Sequence, residues 1–127
     1  MQANTRIQKF TDLVVWQEGH KLILMIYKVT KKFPKSEIFG LVSQMQRAAV
    51  SVTSNIAEGF GRHTYNERSH FYYIAQGSLT ELKNQLLIAR DIGYISNTDF
   101  SNIENQANQT HRVLQGLISK TNKFASS

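Results

Sequence analysis

Hydrophobic side chains recur at steps of three and four residues along four stretches of this 127-residue chain. Such spacing places them on one face of an α-helix. The predicted helices cover about residues 11–32, 36–59, 66–92 and 98–123. No stretch alternates with the two-residue period of a strand over a comparable length. Because helices joined by short connections pack most simply as antiparallel neighbours, we predict an all-α fold. We expect one domain over residues 1–127, an up-down-up-down antiparallel four-helix bundle.

Prolines, glycines and capping residues mark the breaks between the predicted helices. Pro34, the single proline, ends the first helix, since the residue before a proline is disfavoured in the helical region. Ser36 and Asn66 are expected to cap the second and third helices. Gly93 suits a left-handed residue that terminates the third helix.

Each predicted helix has an apolar face that should point into the bundle. On the first helix this face comprises Leu13, Trp16, His20, Ile23, Tyr27 and Thr30. His20 is therefore expected to be a hydrogen-bonded histidine of the core. On the third helix the apolar face comprises Phe71, Ile74, Ala75, Ser78, Leu82, Gln85, Leu86, Ala89 and Ile92. On the second helix it comprises Leu41, Met45, Ala48, Ala49, Val52, Ile56 and Gly59, and on the fourth helix it comprises Phe100, Ile103, Ala107, Thr110, Leu114, Leu117 and Ile118.

Two short runs are apolar at every position, Leu22 to Ile26 and Phe71 to Ile74. Consecutive helical residues are about 100° apart, so each run surrounds its helix. A bundle monomer needs to bury only one stripe of each helix, and a helix that is apolar all round needs a second partner. Scattered exposed apolar residues are the ordinary alternative. We expect self-association into a homo-oligomer.

A polar stripe runs along the second predicted helix, at spacings of three, four, four and three residues. It comprises Gln44, Arg47, Ser51, Asn55 and Glu58. A solvated face is the usual explanation, but the stripe has no lysine, and serine and asparagine are weak helix formers. Antiparallel pairing places Arg47 level with Glu81 and Glu58 level with His70. We predict that these are partly buried structural pairs that fix the helix register.

The chain carries 15 Lys and Arg against nine Asp and Glu, a net charge of +6. The predicted topology gathers many of its cations at the two ends of the bundle. One end has Lys28, Lys31, Lys32, Lys35 and Arg90, and the other has Arg6, Lys9, Arg62, Arg68, Lys120 and Lys123, with His63 nearby. Helix-dipole complementation and solubility explain several of these residues.

The helix dipole does not explain Arg6, Lys9, Arg62 and Arg68, which lie near helix starts, where cations are mildly disfavoured. Basic clusters of this kind bind the phosphate backbone without reading sequence. Tyr65 lies beside two of the arginines and is a candidate to stack a nucleobase, although packing within its loop is the more usual role.

Sequence signatures of known catalytic and metal sites are absent. The chain has no cysteine, no Gly-x-Ser-x-Gly elbow, no phosphate-binding loop and no His-Glu-x-x-His pair. His63, Glu67 and His70 share a helix face and are possible metal ligands, but capping and packing are more usual roles for them. His111 has no nearby acid in the sequence to orient it. We therefore expect no enzyme, no cofactor and no bound metal.

Several motifs resemble one protein family. The polar stripe lies within Gln44-x-x-Arg47-Ala48-Ala49-x-Ser51-x-x-x-Asn55-Ile56-Ala57-Glu58-Gly59. Together with Phe10-x-Asp12-Leu13-x-Val15-Trp16 and Phe71-x-x-Ile74-Ala75-x-Gly77-Ser78-x-x-Glu81, this motif resembles the 23S rRNA intervening-sequence proteins of bacteria. The likeness extends over about residues 10–94, with the last helix matching only by pattern. Thr53 departs from it, because the family pattern suggests a proline or a similar residue there.

The family resemblance implies a four-helix bundle that assembles into a homopentameric ring, with no established catalytic residues. A related branch resembles the accessory variability proteins of diversity-generating retroelements, basic pentamers that bind a reverse transcriptase and nucleic acid. The resemblance therefore favours a non-enzymatic nucleic-acid-binding or scaffold protein, with rRNA as one possible ligand. The alternative is a protein-interaction module that docks a partner such as a reverse transcriptase, and a third alternative is a small-molecule or metal enzyme.

The longest apolar run, Leu22 to Tyr27, is far shorter than the roughly 20 residues of a membrane span. The first nine residues are polar and do not resemble a secretory signal. We therefore expect no membrane partner and a cytoplasmic location.

Overall fold

The computed structural model describes residues 6–125, so most of the polar N-terminal stretch and the last two residues lie outside it. Its four α-helices are α1 (Val14–Thr30), α2 (Leu41–Phe60), α3 (Tyr65–Asp91) and α4 (Asn97–Ala125). Short 3₁₀ turns at Phe10–Asp12 and Lys35–Glu37 precede α1 and α2. No β-strand occurs between residues 6 and 125, and the predicted all-α fold is confirmed.

Each helix packs against two neighbours in the order α1, α2, α3, α4 and back to α1, with α2 and α3 in the most extensive contact. The two helices are antiparallel: Ser51 lies opposite Ser78, and Gly59, further along α2, lies against Tyr72, which comes earlier on α3. This agrees with the register used to align Arg47 with Glu81.

A single apolar cluster fills the space between the helices. Its most completely buried aliphatic side chains come from all four helices: Leu22, Ile26, Met45, Val52, Ile56, Leu79, Leu82, Leu86 and Leu114. Burial of each such side chain contributes roughly 1.5–3 kcal/mol before the cost of chain entropy. The apolar faces of the helices therefore determine how the bundle closes.

The predicted inner face of α1 is wrong by one residue, except at Thr30, which is buried as predicted. The buried face carries Val15, Gly19, Leu22, Ile26 and Val29, whereas His20 is exposed and stacks on Trp16 with ring centroids 4.8 Å apart. Because the middle of α1 is apolar all round, hydrophobic spacing alone does not select one face. Close packing selects it: a Cβ at Gly19 would lie 2.8 Å from the Thr53 Cγ2 atom on α2.

Capping side chains account for two helix starts that differ from the predictions. Helix α2 begins at Leu41 rather than near residue 36, and the Glu37 carboxylate accepts its first backbone N–H at 3.1 Å. Helix α3 is capped by Thr64, not by Asn66, because the Thr64 hydroxyl accepts the Glu67 N–H at 3.1 Å. Gly93, with φ of 87°, has the predicted left-handed conformation after α3.

Candidate nucleic-acid interface

The bundle brings the end of α1, the start of α2, the end of α3 and the start of α4 together. We call this the lysine end, defined by Lys28, Lys31, Lys32, Lys35 and Arg90. Two of its cations are paired with acids: Lys32 Nζ lies 3.4 Å from Asp99 Oδ2, and Arg90 Nε lies 2.9 Å from Asp91 Oδ1. The guanidinium of Arg90 also lies 4.6 Å above the Phe100 ring. Lys28, Lys31 and Lys35 are exposed.

We call the opposite end the aromatic end. It is defined by the cations Arg6, Lys9, Arg62, Arg68, Lys120 and Lys123 and by the rings of Tyr65, Phe71 and Phe124. Its two inner arginines make contacts within the chain. Arg62 pairs with Glu58 at 2.5 Å and places its guanidinium 4.6 Å from the centre of the Phe71 ring. Arg68 Nε donates to the Arg62 carbonyl at 2.9 Å, and its guanidinium lies 5.4 Å from the centre of the Tyr65 ring. These arginines stabilise the connection between α2 and α3.

A cavity of about 180 Å³ opens at the aromatic end, between the start of α3 and the end of α4. Its lining includes Tyr65, Arg68, Leu117, Lys120 and Phe124. The rings of Tyr65 and Phe124 stack with centroids 5.2 Å apart and planes at 27°. Both remain about half exposed, at 44% and 50%. Tyr65 was a candidate from the sequence, but Phe124 was not, because it follows the predicted end of the last helix.

The centre of the polar stripe contacts α3 through Ser51. The hydroxyls of Ser51 and Ser78 lie 2.8 Å apart, and the Asn55 amide donates to the Ser51 carbonyl at 2.8 Å. Small polar side chains therefore permit a close approach of the two helices and a hydrogen bond across it.

Neither charged pair predicted for the stripe forms. Arg47 and Glu81 line the same open cavity of about 580 Å³, without an ion pair within 4.0 Å between them. Glu58 pairs with Arg62 instead of His70, because four residues along one helix place those two side chains side by side. His70 instead contacts the edge of the Phe71 ring.

A lysine–histidine contact that the sequence did not indicate joins α3 to α4. Lys83 Nζ lies 2.7 Å from His111 Nδ1. Burial, and then the charge of Lys83, lower the pKa of His111 below its ordinary value. Burial likewise lowers the pKa of Lys83, while the Glu104 carboxylate partly opposes this shift. The neutral imidazole accepts a hydrogen bond from the lysine ammonium.

Glu67, one of the possible metal ligands, takes part in the Thr64 cap at the start of α3. Within residues 6–125, no group of three or more His, Asp or Glu side chains is arranged to hold a metal ion. Over the same residues, no helix combines the length and apolar character needed to cross a bilayer.

Apolar side chains also remain on the outside of the bundle. In the two apolar runs, Leu24 is 57% exposed and Tyr73 is 51% exposed, while Leu22 and Tyr72 are buried. Phe39, which precedes α2, is 97% exposed and lies at the rim of the cavity that contains Arg47. The sequence pattern did not predict that Phe39 would be exposed.

Comparisons with known proteins agree on one family. The model of the 23S rRNA-intervening sequence protein family matches residues 11–116. A solved structure from Bacteroides thetaiotaomicron, described as a protein with unknown function from the S23 ribosomal protein family, is similar in fold with a TM-score of 0.74. It shares 20% sequence identity, and the alignment covers 83% of this chain and 98% of that one. No curated protein matches the chain. Since the family match extends over most of the four-helix bundle, the chain belongs to the 23S rRNA-intervening sequence protein family.

Proposed function

We propose that this protein is a non-enzymatic nucleic-acid-binding scaffold. In this proposal it assembles into a homo-oligomeric ring and contacts the phosphate backbone through the exposed lysines at its two ends. Family membership supports the connection to rRNA, and the family resemblance supports a pentamer.

The observation that carries the proposal is the set of exposed lysines without acidic partners at the bundle ends. Within residues 6–125, ion pairs to acidic side chains involve Lys21, Lys32, Arg62 and Arg90. The exposed lysines outside these pairs are Lys28, Lys31, Lys35, Lys120 and Lys123. Lys9 is also exposed, but its backbone N–H and its charge both act on the Asp12 carboxylate. Solvated lysine side chains bind phosphates and release the counterions condensed on the nucleic acid. The affinity therefore depends on charge density and not on base sequence.

Assembly multiplies this charge. Exposed apolar side chains such as Leu24, Tyr73 and Ile74 lose unfavourable contact with water when a second copy covers them. A ring places the same lysines of each copy around a shared edge. Several weak phosphate contacts, one set from each copy, then act together. The overall affinity rises although no individual contact becomes stronger.

The test is fluorescence anisotropy with a labelled single-stranded RNA over a range of salt concentrations. The Lys120→Glu/Lys123→Glu variant should bind about tenfold more weakly, with a shallower dependence on salt, because phosphate contacts are lost. The Lys21→Glu/Arg112→Glu variant changes net charge equally but lies mid-bundle, so it should bind nearly as the wild type does. Absence of RNA and DNA binding by the wild type at low salt would show that the proposal is wrong.

Phe39 favours a second candidate, a module that docks a partner protein such as a reverse transcriptase. An almost fully exposed aromatic beside an open polar cavity is typical of a protein contact. Under this alternative, charge reversal at the bundle ends slows association with the partner without abolishing it. A Phe39→Ser variant that retains both its oligomeric mass and its RNA affinity, but loses the partner protein, would favour this candidate.

A further inference from the structure

We propose that the cavity at the aromatic end binds one unstacked base of a single-stranded nucleic acid. This inference rests on the proposed function and assigns to this end a role different from that of the lysine end. Its ligand is a nucleotide in a flexible strand, because a base held within a duplex does not present its face.

Two aromatic rings give the cavity a stacking surface. The Tyr65 and Phe124 rings both line the cavity, stack on each other and remain about half exposed. Flat bases stack on exposed aromatic rings regardless of their identity, since every base has a π face. The cavity of about 180 Å³ has room for one base.

Positively charged side chains lie around those rings. The Arg68 guanidinium already lies over Tyr65, and Lys120 forms part of the cavity wall. Lys123 is also exposed, at the same end of α4. An aromatic platform combined with basic side chains is the arrangement by which proteins hold single strands, with the rings contacting the base and the cations contacting the phosphates.

The lysine end provides an internal comparison. One of its cavities, also about 180 Å³, is lined by Lys28 and Lys32 but includes Asp99 and has no aromatic ring in its wall. A second cavity there, of about 320 Å³, is lined by Lys31 and Lys35, but its ring, that of Phe33, is buried. Neither cavity offers an exposed stacking surface, and the carboxylate of the first repels phosphate. The two ends therefore differ in what they recognise: the lysine end attracts backbone charge, whereas the aromatic end also holds a base.

The experiment uses single-stranded RNA with 2-aminopurine at one position, whose fluorescence is quenched when the base stacks. Binding of the wild type should quench this fluorescence. Tyr65→Leu and Phe124→Leu should each reduce the quenching and weaken single-strand binding by about tenfold. Affinity for a duplex of the same length should stay unchanged. Tyr27→Leu, which alters an exposed tyrosine near the lysine end, is the matched control and should have no effect.

Circular dichroism establishes whether each variant is folded, and the two substitutions provide independent tests. If both folded variants bind and quench as the wild type does, while Lys120→Glu/Lys123→Glu weakens binding, the base site is wrong and the proposed function stands. Equal losses of affinity for the single strand and for the duplex would also overturn the base site, because they would indicate a general effect on nucleic-acid binding. A wild type that binds no nucleic acid would overturn both proposals.

Discussion

Gly59 determines how closely α2 approaches α3. A Cβ at this position would lie 2.7 Å from Tyr72 Cε1 and 3.1 Å from the backbone oxygen of Arg68. The side chain of Tyr72 is fully enclosed and the backbone oxygen cannot turn aside, so the two helices must separate to admit a methyl group.

We therefore expect Gly59→Ala to lower the free energy of unfolding by about 1–3 kcal/mol, the usual cost of overpacking a close contact. Chemical denaturation measures this change. Gly116→Ala is the control, because nothing lies within 4 Å of a Cβ on that exposed helical glycine. It should raise stability by about 0.5–1 kcal/mol through helix propensity. Equal effects of the two substitutions would contradict this account of Gly59.

Individual helices differ in how well the sequence predicted them. The buried faces of α2 and α4 follow the predicted spacing closely, since polar residues flank them and leave one apolar stripe. Helix α1 and the first half of α3 did not follow it, because apolar residues surround both helices there. Tyr72 and Leu79 are buried, whereas Phe71 and Ile74 are not. Packing against α2 and α4 determines which of these apolar side chains face the core.

Side-chain contacts between helices are harder to predict, because the local sequence pattern does not show which residues meet. Lys83 and His111 lie 28 residues apart in sequence, and nothing in either segment indicates that they meet. The Ser51–Ser78 contact was not predicted either, because Ser51 was assigned to the polar stripe of α2 and Ser78 to the apolar face of α3. Long side chains such as Arg47 and Glu58 were harder to assign, since each has several partners within reach.

The contact between α3 and α4 gives a pH prediction. Burial and the charge of Lys83 hold the pKa of His111 below 6.5, its ordinary value, so the unfolded chain binds a proton more readily than the folded one. The stability associated with this histidine is therefore fully present above pH 6.5 and is lost as pH falls from 6.5 through the lower folded pKa.

An NMR titration of the His111 ring should give a midpoint below 6.5 in the wild type. In Lys83→Met the midpoint should rise towards the ordinary value, because the neighbouring charge is gone while burial remains. His63→Gln, at an exposed histidine elsewhere, should leave the His111 midpoint unchanged. A midpoint that does not respond to the loss of Lys83 would show that the two side chains do not interact in solution.

At the scale of the whole molecule, the sequence located the cations at the two ends of the bundle but did not distinguish their roles. Arg62 and Arg68 belong to the α2–α3 connection, whereas Lys120 and Lys123 extend into solvent. Whether a cation packs within the chain or stays in solvent depends on which acidic side chains and rings lie within its reach after folding. The aromatic end likewise needs the folded chain, since Tyr65 and Phe124 lie far apart in sequence.

The outer surface of the folded molecule gives the last prediction. Leu24 lies in the middle of α1 and is 57% exposed, although its neighbours Leu22 and Ile26 are buried. If a second copy covers this position, an aspartate there would be buried without a partner. Separation of the copies costs less free energy than burial of an unpaired carboxylate. We expect Leu24→Asp to reduce the oligomer to smaller species without unfolding the bundle. The matched control is Asn105→Asp, which adds the same charge to an exposed polar position of α4.

Light scattering coupled to size exclusion at micromolar concentration measures both masses. The wild type and Asn105→Asp should have the mass of an oligomer, and Leu24→Asp a smaller mass with unchanged helical content. The dissociated variant should also bind RNA more weakly and with a shallower salt dependence, because each particle then contacts fewer phosphates. A wild type that is a folded monomer of 14.5 kDa under these conditions would contradict the ring and the shared lysine edge together.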